Sequence, residues 1–193
     1  MDCPADNLRR KTRSNWFSTA ENLFSISANI IYLRLAAILT DSTNLMEFEP
    51  IYSPGFHDIT LDKLEEIFVD PFPENERRAY LTQRFRDYLG KFSELGLKAE
   101  IWVDGSYSTH KPEPGDMDIL IIFDANEVNN LSIDKQPVLQ ELFDRNLCKI
   151  RYSIDVLLCQ SHDINGRSFW RGWFGFSRDE KPKGIPRVSY GIN

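Results

Sequence analysis

The chain has few cysteines, few histidines and no long apolar run, and each of these absences excludes a class of protein. Its 3 cysteines, Cys3, Cys148 and Cys159, show no C-x-x-C spacing, so neither a zinc site nor a disulfide framework is indicated. His57 and His162 have no partner at metal-ligand spacing. There is also no internal repeat and no low-complexity tract. A sparse, odd number of cysteines predicts a protein of the reducing cytoplasm.

Positive charge is also scarce, since the formal net charge of the 193 residues is −6. This excludes a protein that coats nucleic acid through bulk positive charge. The charge is uneven along the chain. Residues 46–150 carry 11 basic and 21 acidic side chains, whereas residues 151–193 carry 7 basic and 4 acidic ones. The basic tail is therefore the better candidate for holding an anion.

Residues 1–45 are predicted to be an N-terminal extension ahead of a domain at residues 46–193. The apolar segment Ile26–Leu39 is interrupted by polar residues and is shorter than the roughly 20 residues that span a bilayer. We therefore favour a soluble helix or a poorly ordered extension over a membrane signal, and we expect no membrane partner. A third interpretation is that the native protein starts at Met46.

The apolar pattern predicts helices and strands in alternation. Thr60 is expected to cap a short helix, and a longer helix is expected from about Glu74 to Leu95, where Gly96 ends it. The other expected elements are strands at Ile101–Val103, Met117–Phe123 and Tyr152–Leu158 and a helix at Asp134–Asn146. The segment Ile119–Phe123 is apolar on both faces, as in a central strand. This order predicts a sheet covered by helices, in the α/β or α+β class.

The most informative motif is Asp104-Gly105-Ser106, followed after a nine-residue loop by Asp116-Met117-Asp118 at the start of an apolar strand. Because side chains alternate along a strand, Asp116 and Asp118 share a face. Asp155 interrupts a second apolar strand. If the two strands are neighbours, three carboxylates converge.

Three such carboxylates repel one another, and a bound cation relieves that repulsion. Oxygen-rich sites of this kind suit Mg²⁺ or Mn²⁺, which also bind substrate phosphates. Gly105 leaves room for backbone N–H groups to approach a phosphate, and Ser106 adds a hydroxyl donor. Each motif alone is more often a turn or a strand entrance, but about 0.02 chance matches are expected for the joint pattern. The pattern indicates metal-assisted attack on a nucleoside triphosphate.

These residues, Gly105-Ser106, Asp116-Met117-Asp118 and Asp155, resemble the signature of the polymerase-β-like nucleotidyltransferase superfamily. The segments 104–123 and 181–185 are similar to small bacterial proteins of this type. The resemblance implies a mixed sheet flanked by helices and transfer of a nucleoside monophosphate to a hydroxyl group with loss of pyrophosphate. It also implies that the three aspartates are catalytic metal ligands, with Asp155 activating the acceptor, and that Gly105 and Ser106 hold the triphosphate.

The tail interleaves cations with aromatic side chains between Arg167 and Arg187. We favour the interpretation that the aromatic side chains pack on the core while the cations stay solvated. The alternative is that the tail binds a nucleotide, with a base stacked on its aromatic side chains. Lys181 and Lys183 are then the expected phosphate contacts. His110 and Lys111 could also touch a triphosphate, but a solvated loop is an equal alternative.

The expected function is that of a cytoplasmic, Mg²⁺- or Mn²⁺-dependent nucleotidyltransferase whose acceptor is a hydroxyl group of a protein, an RNA or a small molecule. Only 38 residues follow Asp155, which leaves little room for a separate acceptor-binding domain and favours a partner subunit that completes the site. The alternative is a catalytically weak nucleotide- or RNA-binding partner in a toxin–antitoxin or defence pair.

Overall fold

A five-stranded mixed sheet forms the centre of the computed structural model, which describes residues 48–74 and 76–191. The strands are β1 (Gly55–Asp58), β2 (Ala99–Asp104), β3 (Met117–Phe123), β4 (Ile154–Gln160) and β5 (Gly184–Tyr190). Their order is β1-β5-β2-β3-β4. β1 pairs with β5 and β3 with β4 in parallel, whereas β2 is antiparallel to both β3 and β5. The expected extension at residues 1–45 lies outside the described residues.

Six helices connect the strands. They are α1 (Leu64–Phe68), α2 (Glu76–Leu95), α3 (Ala125–Asn129), α4 (Gln136–Phe143), α5 (Arg145–Tyr152) and α6 (Ile164–Phe174). Short 3-10 turns occupy Leu61–Lys63, Gly105–Ser108 and Ile133–Lys135. The predicted long helix is confirmed as α2, and Gly96 follows it with a φ of +71°, the left-handed conformation that glycine adopts without strain.

Helices cover both faces of the sheet, which confirms the predicted α+β class. Ile119 and Ile121 of β3 pack into the larger core with α1, α2, α4 and α5. Leu120 and Ile122 face the other way, into a smaller core with Trp170 and Phe174 of α6. β3 is an interior strand of the sheet and is buried on both sides, as its continuous apolar run predicted.

Three local predictions are wrong or incomplete. The helix predicted to end at Asn146 is interrupted at Asp144, whose carboxylate accepts from Leu147 N at 2.9 Å and caps a new helix, α5. That helix runs through Tyr152, where a strand was predicted, and ends at Ser153, whose φ is +56°. Thr60 takes the cap position but makes no side-chain capping bond. The strands β1 and β5 and the helix α6 were not predicted.

Candidate active site

Three aspartates lie in one row across three adjacent strands. In the backbone register of the sheet, Asp104, the last residue of β2, lies opposite Asp118 near the start of β3. Asp118 lies opposite Asp155 of β4 in the same way. Since paired residues of neighbouring strands point to the same face of a sheet, the three carboxylates share one face and one end of the sheet. β3 and β4 are neighbours, so the condition set by the sequence analysis for bringing Asp118 and Asp155 together is met.

Gly105 brings its backbone against Asp118, directly beside this row. Its φ is +72°, and it opens the 3-10 turn that contains Ser106. A Cβ built on Gly105 would overlap Asp118 Oδ2 and lie only 3.0 Å from Asp118 Cγ. Glycine is required here both for the backbone conformation and for the space that the carboxylate occupies.

Gly105→Ala is expected to destabilise the protein by at least about 1–2 kcal/mol, because alanine is strained at this positive φ. The overlap of its Cβ with Asp118 adds to that cost. The new methyl group would also push the Asp118 carboxylate out of the row. The free energy of unfolding from urea titration measures the first effect. Gly115→Ala is the control, since nothing lies within 4 Å of a Cβ built at that position; equal stability of the two variants would contradict this description of the turn.

Two cations from α5 face the carboxylates. Arg145 donates through Nε to Asp155 Oδ1 and through Nη2 to Asp155 Oδ2, the latter at 2.6 Å. Lys149, one helical turn later, lies 3.1 Å from Asp116 Oδ2. Asp155 is only 1% exposed, whereas the Asp116 side chain is one-third exposed. Asp155 and Asp116, two of the predicted site residues, thus each have a basic partner on α5.

The three aspartates of the row together with Asp116 form the aspartate group. Arg145 interacts electrostatically with Asp155, Asp118 and Asp116 of this group. Its hydrogen bonds to Asp155 raise its pKa above the ordinary value, and the charges of Asp155, Asp118 and Asp116 add to that effect against the opposing cost of burial. Sequence reasoning missed this residue. A usable signal was present: Arg145 and Lys149 are spaced four residues apart, on one helix face, immediately before the strand that contains Asp155.

Lys183 lies at the same end of the sheet, where its Nζ donates to Asp104 Oδ1. Both side chains are largely buried, with 9% and 12% of their surfaces exposed. Lys181, the other lysine predicted to bind phosphate, is exposed in the turn before β5, and its backbone N–H donates to Ser177 Oγ at 3.2 Å. Of the two lysines, Lys183 therefore lies directly against the aspartate row.

Lys183→Met is expected to destabilise the protein by about 3 kcal/mol, because it leaves the buried Asp104 without the cation that neutralises it. The double variant Lys183→Met/Asp104→Leu should recover much of this loss, since both members of the ion pair are then removed together. Thermal unfolding of the single and double variants measures the difference. If the single variant is as stable as the wild type, the ion pair has no structural role.

The loop that follows Gly105 is held in place by Arg78 of α2. Arg78 is fully buried and donates five hydrogen bonds to four backbone carbonyls, those of Phe68, Tyr107, Thr109 and Lys111. Its guanidinium also lies 3.6 Å from the ring centre of Phe72. Burial lowers the pKa of Arg78 to about 10, so the side chain is charged at neutral pH.

The favoured interpretation of the tail agrees with the structure for its central aromatic residues. Trp170 and Phe174 are buried in the smaller core, while Arg171, Arg178 and Lys181 are exposed. Phe169 and Phe176 remain 43% and 48% exposed. In the loop after Ser106, His110 is also exposed.

The donor atoms of the aspartate group suit a divalent cation only in part. Asp116, directly before β3, and Asp118, its second residue, offer the carboxylate oxygens that Mg²⁺ and Mn²⁺ prefer. The two oxygens of Asp155 instead accept hydrogen bonds from Nε and Nη2 of Arg145. Within residues 48–74 and 76–191, no group of three or more His, Cys, Asp or Glu side chains is arranged to hold a metal ion. Of the three predicted metal ligands, Asp155 is therefore the one that fits a metal least well.

Fold and site define an α+β protein with an aspartate row beside a glycine turn. The chain belongs to the family of unknown function DUF6932, whose profile matches residues 46–189. The match includes all the aspartates of the site, Gly105, Ser106 and both lysines. No curated protein and no solved structure shows a significant match. None of the helices in the part of the chain that the structure describes has the length and apolar character needed to cross a membrane.

Proposed function

We propose that this protein is a metal-dependent nucleotidyltransferase, which moves a nucleoside monophosphate from a nucleoside triphosphate to a hydroxyl group of a protein, an RNA or a small molecule. The observation that carries the proposal is the pairing of Asp118 with both Asp104 and Asp155, with Gly105 packed against Asp118. Asp118 and Asp155, two of the residues on which the resemblance to the polymerase-β-like superfamily rests, thereby share one face and one end of the sheet, which supports the proposal.

In the proposed reaction, the acceptor oxygen forms a bond to the α-phosphorus while the bond from that phosphorus to the bridging oxygen breaks. Pyrophosphate leaves with the electron pair, and the acceptor proton passes to water. A divalent cation bound by Asp116 and Asp118 would polarise the phosphoryl group. The turn at Gly105 and Ser106 would donate to the phosphates, because its backbone lies directly beside Asp118. Positioning of the two reactants would supply much of the rate.

The test is a labelling assay with each α-labelled nucleoside triphosphate, Mg²⁺ or Mn²⁺, and total RNA, total protein and a small-molecule extract as acceptors. The proposal predicts label on one class of acceptor with the wild type and none with Asp116→Asn. Asp134→Asn is the matched control, because Asp134 is an exposed carboxylate in the turn Ile133–Lys135, outside the aspartate row. Absence of label with every nucleotide would overturn the proposal.

A second candidate is a binding protein that holds a nucleotide or RNA with little or no turnover, as one half of a two-component pair. The observation that favours it is that Asp104, Asp116 and Asp155 are each already neutralised by a lysine or arginine. Calorimetry separates the candidates, because binding of a triphosphate without labelled product supports the binding protein alone.

A further inference from the structure

We propose that Arg145, and not a divalent cation, is the permanent counter-ion of Asp155, so that a metal at this site is bound by Asp116 and Asp118 without Asp155. This inference rests on the proposed function and departs from what the resemblance implies for Asp155. It makes Arg145 a positioning residue, which acts through Asp155 and holds one fixed positive charge beside the metal.

The geometry of the ion pair is the first support. Both oxygens of Asp155 accept from Arg145, one from Nε and one from Nη2. A planar guanidinium and a planar carboxylate in this arrangement fix each other's orientation, which a lysine or a single hydrogen bond does not. Replacing Arg145 with a metal would require both of these hydrogen bonds to break.

Burial is the second support. Asp155 is 1% exposed, and Arg145 is 27% exposed at its side chain. If the Arg145 guanidinium moved away, the incoming ion alone would have to neutralise the buried carboxylate of Asp155. The guanidinium would then lie in solvent. Asp116 differs, because its side chain is 33% exposed and its partner Lys149 is 55% exposed. Lysine in such an exposed pair is weakly held, so a metal can displace it at Asp116 far more readily.

The decisive experiment measures Mn²⁺ binding to the full chain by electron paramagnetic resonance, with no nucleotide and no turnover. The charge-neutral double variant Arg145→Gln/Asp155→Asn removes the pair together, and so leaves no uncompensated charge. We expect one Mn²⁺ per chain, a Kd for the double variant within about threefold of the wild type, and a Kd raised at least tenfold by Asp118→Asn. A tenfold or greater loss in the double variant, or two Mn²⁺ per wild-type chain, would overturn the inference.

The single variant Arg145→Gln provides an independent arm. Releasing Asp155 from its counter-ion should tighten Mn²⁺ binding at least threefold, because an additional carboxylate becomes available. Arg151→Gln is the control on the same helix, since Arg151 pairs with Glu141 at 2.6 Å and not with the aspartate group. Unchanged or weaker binding by Arg145→Gln would contradict the proposal; if this variant fails to fold, the double variant decides alone.

Failure of this inference and failure of the proposed function give different results. A chain that binds one Mn²⁺ independently of Asp155 but labels no acceptor keeps the inference and loses the transferase. A chain that transfers label and loses Mn²⁺ in the double variant keeps the transferase, and Asp155 is then a metal ligand.

Discussion

Asp118→Asn is expected to reduce nucleotidyl transfer by roughly 10³-fold, the size of effect seen when a central electrostatic group of an active site is lost. Asn has nearly the same shape as Asp but lacks the charge that binds a cation. Asp118 is the middle residue of the row, paired with Asp104 on one side and Asp155 on the other. Single-turnover kinetics with excess enzyme would measure the loss in the chemical step.

The fold should survive this substitution. Asn keeps nearly the shape of Asp at this position, so the melting temperature of Asp118→Asn is expected to stay close to that of the wild type. Loss of activity without loss of stability is the signature of a functional residue. Transfer at more than a tenth of the wild-type rate would remove Asp118 from the proposed chemistry.

Arg78→Met is expected to lower the free energy of unfolding by about 4 kcal/mol, the largest structural effect we predict. The substitution removes five hydrogen bonds at once and leaves four carbonyls without their buried donor. Three of these carbonyls belong to the segment from Tyr107 to Lys111, which follows the glycine turn. We therefore expect faster amide exchange in that segment as well as a lower melting temperature.

Two further variants test this explanation of the Arg78→Met effect. Arg78→Lys keeps the charge but not the planar fork of donors, so it should lose about half as much stability as Arg78→Met. Arg84→Met serves as the control on the same helix, because Arg84 is 40% exposed and pairs with Asp87 at 3.3 Å; it should cost less than about 0.5 kcal/mol. Equal effects at Arg78 and Arg84 would show that the buried network has little energetic weight.

The parts of the fold that sequence predicted are those that local patterns determine. Leu81, Phe85 and Phe92 recur at helical spacing, and all three are buried in α2. The apolar run of β3 indicated a strand buried on both faces, which is what the structure contains. The spacing of Asp116 and Asp118 likewise predicted two carboxylates on one face, because alternation along a strand is a local property. Their convergence with Asp155 was predicted only on the condition that the two strands are neighbours, which the pairing of β3 with β4 meets.

What could not be predicted depends on contacts between distant residues. β1 and β5 pair in parallel across more than a hundred residues, and no local pattern encodes that partner. Arg78 follows another arginine near the start of a helix, a position that normally faces solvent, and only the loop folded over it makes it a buried donor. The turn at Ser153 requires a left-handed conformation in a residue other than glycine, which propensity alone does not indicate.

The most direct test of the central claim is calorimetric titration of non-hydrolysable analogues of the four nucleoside triphosphates, with Mn²⁺, into the wild type, Asp118→Asn and Asp134→Asn. The account predicts that at least one analogue binds the wild type and Asp134→Asn equally, and that Asp118→Asn binds it at least about tenfold more weakly. Binding that is the same in all three proteins, or absent from the wild type, would contradict the assignment of a nucleotide site to this end of the sheet.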